Sequence, residues 1–105
     1  MAQFIHVADT VEIAPGQRML VELDGHQIAL FNVGGEYYAI SNSCTHRGGP
    51  LIEGSLGGEV VTCPWHGGQF NIKTGEVLAQ PPTQPVTTYQ VKVEGSDIKI
   101  ALSKE

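Results

Sequence analysis

Basic residues are scarce in this chain, and long apolar runs are absent. Six lysines and arginines stand against eleven aspartates and glutamates, giving a formal net charge of −5 and a pI near 5.2. Nucleic acid and anionic membrane surfaces are held by basic faces, so neither is expected as a partner; a basic protein is compatible. No apolar stretch reaches the ~18 residues that would suggest a membrane span. The N-terminal MAQFIHVADTVEIAPG also lacks a positive segment followed by an apolar run. We therefore expect a soluble, cytoplasmic chain. Only two cysteines are present, too few for a disulfide scaffold, and in a reducing compartment both stay reduced and open to metal. No window of about a dozen residues keeps a 3.6-residue period, which excludes a helical bundle. There is no GxGxxG fingerprint for a flavin or nicotinamide, and no two-histidine-one-carboxylate iron site of the kind oxygenases use. The chain is thus expected to catalyse no bond change itself.

What is present reads as β-structure. RMLVEL (18–23), HQIALFNV (26–33) and EYYAIS (36–41) are short runs rich in β-branched and aromatic residues, separated by the turn pairs Asp24-Gly25 and Gly34-Gly35. Near the C-terminus, Tyr89, Val91 and Val93 alternate with Gln90, Lys92 and Glu94. After the turn at Gly95-Ser96, Ile98, Ile100 and Leu102 alternate in the same way. These patterns predict a half-buried antiparallel pair. DTVEIAPG allows at most a short helical turn. With 105 residues, 13 glycines and six prolines, and no linker or repeat, we expect one all-β domain, residues 1–105, built of antiparallel hairpins. A chain of this length buries about 65% of its unfolded surface and needs no metal merely to fold, so a metal here would be functional.

Two packets carry the chemistry. SCTHRGGPLIEG (43–54) and TCPWHGGQF (62–70) hold both cysteines and half of the four histidines. Each sets a cysteine close to a histidine and follows them with a glycine pair. The spacing is CxH, then residues 47–62, then CxxH. Taken alone, either cysteine suits a small buried hydrophobe or a nucleophile beside its base. Taken together, two thiolates and two imidazoles suit zinc or an iron–sulfur cluster. Zinc fingers commonly draw two ligands of one type from each turn, whereas each turn here supplies one of each. That mixture suits a dinuclear centre with cysteine on one iron and histidine on the other. His6 and His26 have no such context and read as strand residues.

CTH at 44–46 and CPWHG at 63–67 resemble the two cluster-binding loops of the Rieske [2Fe–2S] family. GEVLAQPP (75–82) resembles the proline loop that covers the cluster, and residues 4–102 have the length of a stand-alone Rieske-type ferredoxin. The resemblance implies one [2Fe–2S] cluster per chain, with Cys44 and Cys63 on the inner iron and His46 and His66 on the outer, solvent-facing iron. It places the loops at about 43–50 and 62–70 and the proline loop at about 79–85. Glycines 48, 49, 67 and 68 would let backbone amides approach the bridging sulfides. Pro64 and Trp65 would stiffen and shield the second loop, while Pro81 and Pro82 would restrict water. Arg47 reads as a solvated loop charge or, alternatively, as a cation at the cluster tip that favours the reduced state, and Glu53, Glu59 and Glu76 read as solubilising residues.

Departures from high-potential members of the family refine the expectation. Cytochrome bc-type Rieske proteins join the two loops by a disulfide; the matching positions here are Gly49 and Trp65. Where those members place a serine and a tyrosine hydroxyl against sulfur, this chain has Gly68 and Phe70. The resemblance then implies a potential near the lower end of the Rieske span of about −150 to +300 mV, falling at alkaline pH as the ligand imidazoles titrate. It also implies a monomeric carrier of one electron from an NAD(P)H-dependent flavoprotein reductase to a terminal Rieske oxygenase. Three other readings rank below it: a small subunit of an NAD(P)H-dependent nitrite reductase, a structural zinc domain using the same four residues, and a thiol enzyme using Cys63 with His66.

Overall fold

The turn pairs decide where this chain reverses. The computed structural model describes residues 4–43, 50–64, 67–79 and 85–101. Strand β1 (Phe4–Asp9) runs into a 3-10 turn at Thr10–Glu12, the helical turn expected near DTVEIAPG. Strands β2 (Arg18–Leu23), β3 (His26–Val33) and β4 (Glu36–Ser41) follow with the expected boundaries. Asp24, Gly25, Gly34 and Gly35 between them take φ of 55°, 83°, 61° and 95°. Consecutive positive φ values are those of the two-residue hairpin turn whose twist matches its flanking strands. A second 3-10 turn, Leu51–Glu53, leads to four three-residue strands: β5 (Ser55–Gly57), β6 (Val60–Thr62), β7 (Gln69–Asn71) and β8 (Val77–Ala79). The pair β9 (Thr88–Glu94) and β10 (Asp97–Ala101) completes the described chain.

All named strand pairings are antiparallel and form two sheets, ordered β1-β10-β9-β4-β3-β2 and β5-β6-β7-β8. The unbroken apolar run in β3 has a structural cause. Ile28 and Leu30 face one core cluster, with Ala8, Val21, Ile98 and Ile100, whereas Ala29 and Phe31 face another, with Leu51, Val61, Cys63 and Phe70. A strand buried on both faces loses polar–apolar alternation. Because residues from β1, β10 and β2 share the first cluster, the larger sheet curls around it; the smaller sheet covers the second. Each fully buried large side chain contributes about 1.5–3 kcal/mol.

The pair β9–β10 is half-buried, as its alternation predicts, with one departure among the described residues; Leu102 lies outside them. Val93 is 44% exposed, because β4 pairs with β9 only at Ala39↔Tyr89 and Ile40↔Thr88, so the far half of β9 passes beyond the cover of β4. His6 and His26 both lie in strands. His6 also stands 3.7 Å from Asp97 and 3.9 Å from Asp9.

One pH effect follows from β4. The Tyr38 hydroxyl donates to Glu36 Oε1 at 2.5 Å; that bond, then burial and the charges of Glu36 and Glu59, push its pKa from 10.0 to about 12. Because the folded value is the higher one, the bond's contribution is complete below pH 10 and is lost as pH rises towards 12. In a phenolate absorbance titration we expect one tyrosine near 12, moving back towards 10 in Glu36→Gln.

Candidate metal centre

The smaller sheet gathers the ends of the expected loops along one edge. A single row of strand partners crosses it: Ser55↔Thr62, Thr62↔Gln69 and Gln69↔Ala79. The first packet's chain enters the sheet at Ser55. The second leaves it at Thr62 and returns at Gln69, and the segment carrying the prolines departs after Ala79. Residues far apart in sequence thus have their loops rooted side by side. A cavity of about 510 Å³ opens elsewhere, where β4 and β9 part, with Tyr37, Tyr38, Tyr89 and Lys73 in its lining.

The first packet is closed at its base. Ser43 and Pro50 form an antiparallel bridge, and the Leu51 amide donates to the Asn42 carbonyl at 2.7 Å. Asn42 is 5% exposed; its side-chain oxygen accepts from the Ile52 backbone amide at 2.7 Å, and its backbone N–H donates to the Gln27 carbonyl at 3.0 Å. Asn42 therefore ties both limbs of the loop to β3. Replacing it by alanine leaves the Ile52 amide without its acceptor and should cost about 1.5 kcal/mol, measurable as a lower urea midpoint at unchanged slope.

The second packet is closed by its hairpin. The Cys63 amide donates to the Gly68 carbonyl at 2.7 Å, and Gln69 Nε2 donates to Thr62 Oγ1 at 3.2 Å. Strand periodicity places Cys63 on the same side as Val61, so it is buried at 2% exposure beside Leu51 and Phe70. Gly67 takes φ of +75°, a conformation that disfavours any side chain there. Pro64 is exposed, so the shielding expected of it reduces to stiffening the loop. Phe70 is fully buried in the same cluster as Cys63 and offers no hydroxyl. Glu53, Glu59 and Glu76 are exposed, as solvated charges should be.

Cys44, His46, Arg47, Gly48, Gly49, Trp65, His66, Pro81 and Pro82 lie outside the described residues. The donor chemistry nonetheless fits a [2Fe–2S] centre: a buried cysteine in an apolar cluster at the root of one loop, beside the closed root of the other. Soft sulfur is what such a cluster requires, and the dryness around that sulfur is one of the factors that set its potential.

Three residues that shape these roots escaped the sequence reading: Asn42, Arg18 and Gly54. Arg18 Nη1 donates to the carbonyl of Ile52 at 3.3 Å and to that of Gly54. Gly54 is buried, and a Cβ there would collide with the Thr62 carbonyl. Asn42 stands next to the first packet and Gly54 ends it, but nothing local marks the contacts that either makes, and Arg18 is remote from both packets.

Comparison with known proteins agrees with this arrangement. The family pattern of the Rieske [2Fe-2S] domain matches residues 3–90. The biphenyl dioxygenase ferredoxin subunit of Pseudomonas sp. (strain KKS102) is 37% identical over 102 residues, covering 96% of this chain and 94% of the relative. Among solved structures, the ferredoxin of carbazole 1,9a-dioxygenase from Nocardioides aromaticivorans IC177 superposes with a TM-score of 0.89 at 34% identity, over 94% of this chain and 97% of that one. A chain in the complex of reduced oxygenase and oxidized ferredoxin in carbazole 1,9a-dioxygenase gives 0.91 at 34% identity, over 97% and 95%. Identity at this level along nearly the whole chain, on the same topology, leaves one assignment: this protein belongs to the Rieske [2Fe-2S] domain family.

Proposed function

We propose that the protein is the ferredoxin component of an aromatic-ring dioxygenase system, a carrier of one electron. It takes the electron from an NAD(P)H-dependent flavoprotein reductase and passes it to a terminal Rieske oxygenase. The observation that supports this most is the row Ser55–Thr62–Gln69–Ala79, from which the packet loops and the proline segment leave the sheet together. The cluster, when bound, accepts and releases a single electron without making or breaking a substrate bond.

In this reading Cys44 and Cys63 would hold the cluster through their thiolates, and His46 and His66 through their imidazoles. The burial of Cys63 keeps water from its sulfur, while the two histidines form the electron's exit. Gly68 and Phe70 supply no hydroxyl towards sulfur, so the extra electron is stabilised less and the potential sits low in the Rieske range. The protein works as a cytoplasmic monomer, because the same tip must meet two partners in turn. Its net charge of −5 steers it towards positive partner patches, in brief encounters whose rate falls as salt rises.

The test is the visible and EPR spectrum of the purified protein before and after dithionite, with iron and acid-labile sulfide assayed on the same sample. Two irons and two sulfides per chain, with a reduced signal of average g below that of an all-cysteine cluster, is the expected result. A colourless protein holding one zinc would sink the proposal.

A further inference from the structure

Arg18 opens β2, well away in sequence from either packet, yet its guanidinium reaches the chain leaving the first one. One nitrogen, Nη1, donates to the carbonyls of both Ile52 and Gly54, 34 and 36 residues away in sequence. The same guanidinium lies 5.7 Å from the centroid of the buried Phe31 ring. That contact holds the cation against the core while its N–H donors keep fixed directions, an arrangement that a lysine ammonium reproduces only in part. Among the described residues the four ion pairs involve only His6, Lys92 and Lys99 as the basic groups, so no carboxylate there neutralises Arg18.

The two carbonyls it holds are not incidental. Gly54 lies against the Thr62 carbonyl, Ser55 pairs with Thr62, and Cys63 is the next residue. The clamp therefore runs from β2 through the outgoing limb of the first loop to the start of the second. We propose that Arg18 is a positioning residue of the redox site: it fixes the first loop's outgoing limb against the second loop's root, and its charge favours the reduced state. This inference rests on the reading that both packets are ligand loops. It makes two separable claims, one about geometry and one about charge. Arginine serves both, because one guanidinium nitrogen carries two N–H donors for the two carbonyls and the group brings a positive charge.

The experiment compares the wild-type holoprotein with Arg18→Met and Arg18→Lys. It follows the loss of visible absorbance under an iron chelator, the reduction potential by direct electrochemistry, and the thermal midpoint. For Arg18→Met we expect loss of the cluster about tenfold faster, the lower range for removing a support of a metal ligand, together with a lower potential. Arg18→Lys should keep the potential, because it keeps the charge, but lose the cluster at an intermediate rate.

Wild-type retention and potential in a folded Arg18→Met protein would overturn the proposal, and so would faster loss with no change of potential in Arg18→Met. Should Arg18→Met fail to fold, Arg18→Lys decides: faster loss at an unchanged thermal midpoint supports the clamp, and unchanged loss refutes it. Cys44→Ser, prepared alongside, tests the underlying reading separately. If that variant keeps two irons, two sulfides and the wild-type spectrum, the ligand assignment itself is wrong, whatever the Arg18 variants do.

Discussion

Cys63→Ser is expected to leave a colourless protein with no stoichiometric iron or sulfide and no EPR signal after dithionite. The expectation combines chemistry with position. A thiolate is the soft ligand an iron–sulfur cluster needs, and a serine hydroxyl neither ionises readily nor matches iron's preference in such a site. Cys63 is 2% exposed within the cluster of Leu51, Val61 and Phe70, so no water-borne substitute reaches it easily. Cys63→Ala is the control, since alanine leaves an apolar side chain in an apolar site and removes only the sulfur. Loss of the cluster in both variants assigns the effect to ligation. Retention of two irons and two sulfides in either would remove Cys63 from the ligand set. The thermal midpoint should fall in both, because a cofactor bound only by the folded state stabilises that state by mass action.

For Gly54→Ala the expected result is a loss of about 3 kcal/mol of stability, at the upper end for overpacking a well-filled site. The reason is steric. Gly54 has φ of −78° and ψ of 169°, which any residue adopts, so the backbone conformation itself costs alanine nothing. What stands in the way is the Thr62 carbonyl, which the new Cβ would strike. Neither side yields easily. The Gly54 amide donates to the Leu51 carbonyl at 3.0 Å, its carbonyl accepts from Arg18, and the next residue pairs with Thr62. Relief requires β5 to peel from β6, which separates the roots of the two packets. We therefore expect the thermal midpoint to fall by about 15 °C, together with faster loss of the cluster. A variant with an unchanged midpoint would show that this contact does not hold the two roots together.

Much of the larger sheet could be read along the chain because its determinants are local. The hairpins of β2, β3 and β4 are written in turn pairs and in runs of six to eight residues, long enough for apolar pattern to show. The strands β5 to β8 have three residues each. Of these, β6 lies within EVVTC (59–63), a run the sequence marks as a strand leading to Cys63; for the other three, alternation over so short a length is not distinguishable from chance, and their existence depends on partners brought together by folding. Gly68 and Phe70 stood out in the sequence, but the burial of the Phe70 ring beside Cys63 is a property of the packed core.

The amino-acid sequence by itself determined the kind of chemistry and the class of fold. Thiol and imidazole groups at close spacing are covalent facts of Cys44, His46, Cys63 and His66, and turn residues act on their immediate neighbours. Only the tertiary structure decided how the loops are rooted and what holds them there. Asn42 meets Ile52 ten residues away, and Arg18 meets Gly54 across 36. Gly54 is restricted by a carbonyl on a neighbouring strand. Such contacts carry no local signature, because a side chain far along the chain becomes a neighbour only after the sheets have formed.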